Sequence, residues 1–261
     1  VAFGPHRLPL RAEARPIPGG GEWAALLVLT DLTEVQRTEQ MRRDFISNVS
    51  HELRTPLAAV RALAEMLEHE VEDPGVKEVV VRIVSQVDRM TALVNELLDL
   101  SRIEAGAIQL AIAPVAVREA AAEAAATLEP RAAREGKVLA LEVAEEAVAV
   151  ADRQALVRML TNLLDNAVKY SPPGGTVRLS ARRDDGTVEI AVEDEGPGIA
   201  PEHLPRVFER FYKGDPARAS EGVGLGLAIV KHLARAHGGS VHAENRAEGG
   251  ARFVVRLPAA D

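Results

Sequence analysis

The sequence predicts an α+β, multi-domain fold, and three observations carry that expectation. Two long amphipathic segments are broken at one Pro-Gly turn, helical and alternating patterns then succeed one another to the end of the chain, and 47% hydrophobic content over 261 residues is enough for about two cores. The paired segments read as a helical hairpin. The later stretch reads as an α/β layer arrangement with antiparallel strand hairpins, not a doubly wound βαβ series.

Composition narrows the class of function. A net charge of −8 with no basic stripe argues against a nucleic-acid partner, because that binding needs clustered Lys and Arg against phosphates. Without cysteine there are no disulfides and no thiolate metal sites, which fits a reducing compartment. No run reaches the ~20 apolar residues of a membrane span, and the N-terminus has no signal-peptide pattern. The first residue is Val rather than Met, so a sensing or membrane-spanning portion is expected upstream.

Residues 1–33 hold two β-like runs, "RLPLRAEARPI" and "EWAALLVLTDLT", on either side of a "PGGG" turn, and read as a hairpin. Thirty residues cannot bury a core, so this is expected to be the tail of a truncated domain.

Residues 34–108 form the helical hairpin. Within "FISNVSHELRTPLAAVRALAEML", winding at about 100° per residue puts Phe45, Val49, Leu53, Leu57, Val60, Ala64 and Leu67 on one apolar stripe. His51 falls about 180° from the centre of that stripe, with Thr55 one turn further on nearly the same face. After the turn "EDPG", Val76, Val80, Ile83, Val87, Met90, Val94 and Leu97 alternate in steps of four and three, an a/d seam. Two such hairpins would close a four-helix bundle, so a homodimer is expected, with a monomeric hairpin packed on the next domain as the competing arrangement.

Residues 109–261 carry the alternating elements. "ADRQALVRMLTNLLDNAVKYS" is a helix, "PPGG" a turn, and "TVRLSARR" and "TVEIAVED" are strands around "DDG". The strands "SVHAE" and "ARFVVRL" follow a Gly-rich stretch and the helix "LAIVKHLARA".

The helix before "PPGG" buries Leu156, Leu160, Leu163 and Ala167 and puts Asn162, Asn166 and Lys169 opposite. Asparagine is a poor helix former, so the pair is either a polar surface stripe or a set of amide oxygens for Mg²⁺ beside a phosphate chain, with Lys169 as compensating cation. In "TVEIAVED" the period of two ends the apolar row Val188, Ile190, Val192 on Asp194. A carboxylate so placed either caps the next turn or accepts from a ligand such as an adenine amino group, with Gly196 and Gly198 letting the backbone come close. Gly222, Gly224 and Gly226 precede a helix and suit phosphate oxygens, although no Gly-Lys-Ser or Gly-Lys-Thr makes them a Walker loop.

In order and spacing, "SHELRTPL", "NLLDNAVKYS", "DEGPGI", "FERFYK" and "GVGLGLAIV" resemble the H, N, G1, F and G2 boxes of sensor histidine kinases of two-component systems, over about residues 34–257. The resemblance implies a dimerisation and phosphotransfer hairpin followed by a two-layer α/β sandwich of Bergerat (GHKL) type. It implies that His51 is the phosphoacceptor, that Glu52 accepts or orients the proton on the other ring nitrogen, and that Thr55 helps hold water for dephosphorylating the partner. It further assigns Mg²⁺ and ATP to Asn162 and Asn166, phosphate or sugar contact to Lys169 and Tyr170, adenine to Asp194, and a mobile lid to Gly222–Gly226. Phe208 and Phe211 would anchor that lid, and Arg210 and Lys213 would approach the γ-phosphate, where many relatives have Arg in place of Lys213. The implied partners are a second copy and the receiver domain of a response regulator. The implied location is the inner face of the cell membrane, and "TDLTE" resembles the exit strand of PAS sensor domains.

Overall fold

The computed structural model describes residues 2–3, 8–16, 25–104, 110–213 and 224–260. Helix α1 spans Thr33–Glu70 and α2 spans Pro74–Glu104. Asp73 starts the second helix: its Oδ1 accepts from the backbone N–H groups of Gly75 at 2.8 Å and Val76 at 3.1 Å. Pro74, with φ already suited to a helix and no N–H to satisfy, takes the first helical position. The connection is therefore shorter than the predicted "EDPG" turn, since Pro74 and Gly75 are already helical. Helix α1 runs through Pro56, which has no N–H to offer the carbonyl of Glu52 one turn back.

The predicted a/d seam divides into two rows. Val80 and Val87 are buried between α2 and α1, where Ala64 and Leu98 are also buried, and Arg61 reaches Asp88 across the pair at 3.1 Å. Val76, Ile83 and Met90 on α2, with Leu53, Val60, Leu63 and Leu67 on α1, remain exposed. One hairpin thus buries one row of the seam and leaves a second row exposed.

At the N-terminus β1 (Ala2–Phe3), β2 (Leu8–Pro16) and β3 (Ala25–Asp31) form an antiparallel sheet in that order. The two predicted runs pair from Leu10↔Asp31 to Pro16↔Ala25, and the "PGGG" turn lies outside the described residues. Every residue of β3 is exposed, Leu26 to Leu29 included.

The second unit is built from β4 (Ala113–Ala116), α3 (Val117–Arg134), β5 (Val138–Val143), β6 (Val148–Ala151), α4 (Arg153–Tyr170), β7 (Thr176–Asp184), β8 (Thr187–Glu193), α5 (Gly226–Ala236), β9 (Ser240–Asn245) and β10 (Ala251–Pro258). Five of these strands form one sheet in the order β5-β7-β8-β10-β9, parallel only between β5 and β7, while β4 and β6 pair separately. Helices α3, α4 and α5 pack as a layer on one face of the five-stranded sheet. Leu156, Met159, Leu160, Leu163, Leu164, Ile229 and Leu233 from the helices meet Leu179, Ile190, Val192, Phe253 and Val255 from the sheet in one core. Along α3 the buried positions include Ala120, Ala121, Ala124 and Ala125, whose small side chains allow close approach.

The opposite face of the sheet is covered by its own charges. Cross-strand register lines up Arg178, Glu193, Arg252 and Glu244 in one row over β7, β8, β10 and β9, and Arg182, Glu189 and Arg256 in a second. Signs alternate along each row, with Arg252 at 2.7 Å from Glu244 and Arg256 at 2.8 Å from Glu189. Between the rows Ala191 and Val254 are buried, as is Glu189, because long arginine stems lie over them. Hydrogen bonding from Arg256 holds the Glu189 carboxyl below its usual range, against the effect of its burial, and Arg182 and Arg252 act in the same direction. Among the described residues no helix is long and apolar enough to cross a membrane.

Candidate functional site

Helix α4 is the spine of the site. Its N-cap Asp152 accepts from Ala155 N–H at 2.9 Å, and its apolar face is buried from Ala155 to Val168. Asn162 and Asn166, one turn apart, are half-buried on the other side. The Asn162 amide nitrogen is buried with no hydrogen-bond partner among the described residues, and a side chain added at Gly226 would lie 3.4 Å from Asn162 Oδ1. A buried amide left unmatched by protein, facing a glycine at the start of α5, fits a polar ligand. In the last turn Lys169 Nζ stands 5.2 Å from the Tyr170 ring centroid.

Asp194 follows β8 directly and is only 2% exposed. Its Oδ1 accepts from Gly196 N–H at 2.8 Å and Ala251 N–H at 3.2 Å, and its backbone carbonyl accepts from Arg246 at 2.9 Å. Both of these N–H groups bond Oδ1, and no described protein group bonds Oδ2, which leaves an acceptor for a ligand. Burial pushes this carboxyl above its usual range, and the two N–H groups and Arg246 offset only part of that effect. The backbone around it is tightly apposed. A Cβ at Gly196 would stand 2.6 Å from the Tyr170 carbonyl, and one at Gly250 would run into the Asp194 carbonyl. Gly198 has φ +76° and lies against Asn245, whose amide bonds both the N–H and the carbonyl of Ile199 at 2.7 Å.

Asn245, Arg246 and Gly250 were not singled out in the sequence. The "EGGAR" glycine pair was the visible signal for Gly250. Asn245 and Arg246 carry no local signature, since their partners lie 46 and 52 positions away.

The "FERFYK" segment places its rings differently from one another. Phe208 packs edge-on to Phe253, 6.3 Å between centroids at 88°, whereas the Phe211 ring is exposed and its backbone is left-handed at φ +59°. Phe211 donates its N–H to the Gly224 carbonyl at 3.0 Å, and Tyr212 is held by His203 at 2.7 Å and by Arg206 over its ring at 4.3 Å. Gly224, at φ +79°, lies against the Tyr212 carbonyl in a space that no side chain would fit. Arg210 and Lys213 belong to the same segment, on either side of Phe211 and Tyr212, and Gly222 lies outside the described residues. Among these residues no cluster of three or more His, Asp or Glu resembles a metal site, so any cation here would depend on amide oxygens and the ligand's own.

His51, Glu52 and Thr55 stand on α1, a different element from those that carry Asn162, Asn166 and Asp194, and Glu52 and Thr55 are exposed. The side chain of His51 is outside those described. Helical register alone sets His51 one turn before Thr55. Residues 41–106 match the family described as the His Kinase A (phospho-acceptor) domain, and residues 151–261 match the Histidine kinase-, DNA gyrase B-, and HSP90-like ATPase family.

The chain belongs to the sensor histidine kinases. This histidine kinase is 37% identical to the sensor-like histidine kinase SenX3 of Mycobacterium tuberculosis, over 99% of this chain and 64% of that protein. It is 32% identical to the sensor protein SrrB of Staphylococcus aureus, over 93% of this chain and 42% of SrrB. The chain therefore spans less than two thirds of these relatives. Among solved structures, full-length ShkA in complex with AMPPNP superposes with a TM-score of 0.73 at 35% identity, covering 83% of this chain and 46% of ShkA. The mycobacterial sensor histidine kinase MprB gives 0.51 at 34% identity, covering 57% of this chain and 97% of MprB.

Proposed function

We propose that this histidine kinase takes the γ-phosphoryl group of ATP onto His51 and passes it to an aspartate of a response regulator. The observation that supports the reading is a buried Asn162 amide nitrogen on α4 that no described group matches, together with the carboxylate of the buried residue Asp194, in the same chain as an acceptor-type helix bearing His51. A pocket with an adenine acceptor at one end and polar amides at the other suits ATP, and AMPPNP in the ShkA complex supports that choice.

The division of labour follows from the residues. Asp194 receives the adenine amino group and Gly196 keeps the floor of the site open. Asn162 and Asn166 would hold Mg²⁺, whose charge offsets that of the phosphates, while Lys169, Arg210 and Lys213 add cations beside them. A neutral His51 nitrogen attacks the γ-phosphorus in line, the bond to the β-phosphate oxygen breaks, and ADP leaves. Glu52 takes up the proton on the other ring nitrogen. Catalysis is then mainly placement and charge stabilisation. Incubation with γ-labelled ATP and Mg²⁺ tests the reading, with acid-labile, base-stable label on the protein as the expected result.

Three units suit this chemistry: 1–33 as the end of a PAS-like sensor domain, 34–108 as the dimerisation and phosphotransfer hairpin, and 109–261 as the ATP-binding domain. By the same reading the chain is the cytoplasmic part of a protein anchored to the membrane upstream, which fractionation of the full-length protein tests.

The homodimer rests on the open stripe of the hairpin. Paired Ile83→Asp and Met90→Asp changes put unpaired charges where a second copy would pack, and are expected to yield monomers that stay helical. Val87→Asp, buried within one hairpin, should unfold it instead. Sedimentation and circular dichroism separate the two outcomes.

Thr55 is assigned a part in removing phosphate from the regulator, because hydrolysis needs a water held in line whereas transfer to His51 does not. Thr55→Ala is expected to leave His51 labelling within about twofold and to slow regulator dephosphorylation about tenfold or more. Equal losses would point instead to a disturbed helix at Pro56.

A further inference from the structure

We propose that Asp152 is a positioning residue for phosphoryl transfer, tying the chain that leaves the hairpin to both helices of the nucleotide site. The proposal rests on the kinase reading above. Helix α2 ends at Glu104, and past residues 105–109, which lie outside those described, Ala111 N–H donates to Asp152 Oδ2 at 2.9 Å. The other carboxylate oxygen, Oδ1, caps α4 through Ala155 N–H, also at 2.9 Å. The backbone N–H of Asp152 donates to Nε2 of His237 at 3.0 Å.

His237 is buried at the C-cap of α5. Its Nδ1 lies 2.7 Å from the Leu233 carbonyl and must donate to it, which leaves Nε2 as the acceptor that Asp152 requires. One residue therefore holds the linker exit, the start of α4 and the end of α5. Burial pushes the Asp152 carboxyl up, yet the N–H groups of Ala155, Ala111 and Gln154 hold it below its usual range, in keeping with an ionised double acceptor.

The hairpin has a second route into the ATP-binding unit, since α5 packs directly against α2. The covalent route through Ala111 and the packing route through α5 meet at Asp152. Helix α4 carries Asn162 and Asn166, and α5 begins at Gly226. By the proposal, the junction of Ala111, α4 and α5, with α5 packed on α2, helps set where the nucleotide site lies relative to α1, on which His51 stands. In-line transfer is sensitive to such placement, whereas nucleotide binding within the pocket is not.

Asparagine distinguishes this role from ordinary capping. Asp152→Asn retains a good N-cap and the backbone N–H to His237, but Ala155 and Ala111 bond different carboxylate oxygens, so with Oδ1 kept for the cap the new amide nitrogen faces the Ala111 N–H as a second donor. Ala111→Pro removes the same linker hydrogen bond from its other end, because proline has no N–H. Both variants of the full chain are compared with wild type for ATP affinity by calorimetry and for the rate of His51 labelling at saturating ATP. The expected result in both is affinity within about twofold and a labelling rate lower by about tenfold. An unchanged rate in either variant, or affinity falling in step with rate, overturns the proposal. A wild-type chain that takes up no label would overturn the kinase reading itself, and is told apart because it needs no variant.

Discussion

The His51→Gln variant takes up no acid-labile label from γ-labelled ATP while binding the nucleotide as the wild-type chain does. Glutamine keeps polarity and length but has no basic ring nitrogen, so it cannot form the phosphoramidate bond. The loss is expected to be complete rather than graded, because no other described histidine shares its place on α1 before Thr55 and Pro56. His237 is buried and engaged at both ring nitrogens, and His203 is bonded to Tyr212, so neither is a ready substitute. ATP affinity should hold within about twofold, since Asn162, Asn166 and Asp194 belong to α4 and the end of β8, away from α1. Label persisting at wild-type stoichiometry in the pure variant, or affinity lost together with label, would remove His51 from the assignment.

The second large effect is expected at Asp194. Asp194→Asn keeps an oxygen for the N–H groups of Gly196 and Ala251 but turns an amide donor toward the adenine amino group. A mismatched buried donor costs about 1–3 kcal/mol, roughly five- to a hundredfold in affinity. The same change should not lower the melting temperature of the free protein at neutral pH. A carboxyl whose pKa is raised on folding costs stability above that pKa, and the cost is relieved as pH falls through it, so an uncharged amide escapes it. ATP affinity of the wild type should accordingly decline in acid at a pH above the usual carboxylate range, a decline absent from the variant. Asn166→Asp, which adds negative charge near the triphosphate, is the companion change and should weaken binding with little effect on melting. Calorimetric affinities unchanged in both variants would rule out the pocket.

Much of this architecture was legible because it is periodic. The hairpin, α4, β7, β8 and β10 repeat at 3.6 or 2 residues, and the glycine stretches mark where backbone must approach backbone. Helix α3 was harder to read as an element of its own. Its buried residues are mostly alanines, which give little contrast in hydrophobicity, and Pro130 stands within it. The division of the seam into a closed row at Val80 and Val87 and an open row at Ile83 and Met90 depends on where α1 lies against α2, which a one-dimensional pattern does not specify. Asp194 was read from its place at the end of an apolar strand. The clamp on the next loop by Asn245, and the tie from Arg246 to the Asp194 carbonyl, come from a turn about fifty residues later and exist only once β10 pairs with β8.

The alternating rows on the open side of the sheet have a consequence for how a polyanion meets this protein. Arg178, Arg182, Arg246, Arg252 and Arg256 stand against Glu142, Glu189, Glu193, Glu244 and Glu248, so on that face and its rim each of these arginines is paired with a carboxylate. Charges interleaved at such short spacing cancel within a few ångströms of the surface, well inside the ~8–10 Å over which salt would screen them anyway. The sheet is electrically quiet at a distance, although the chain carries −8 overall. A polyanion approaching from that side therefore meets no strong field of either sign, neither drawn to the sheet nor pushed from it.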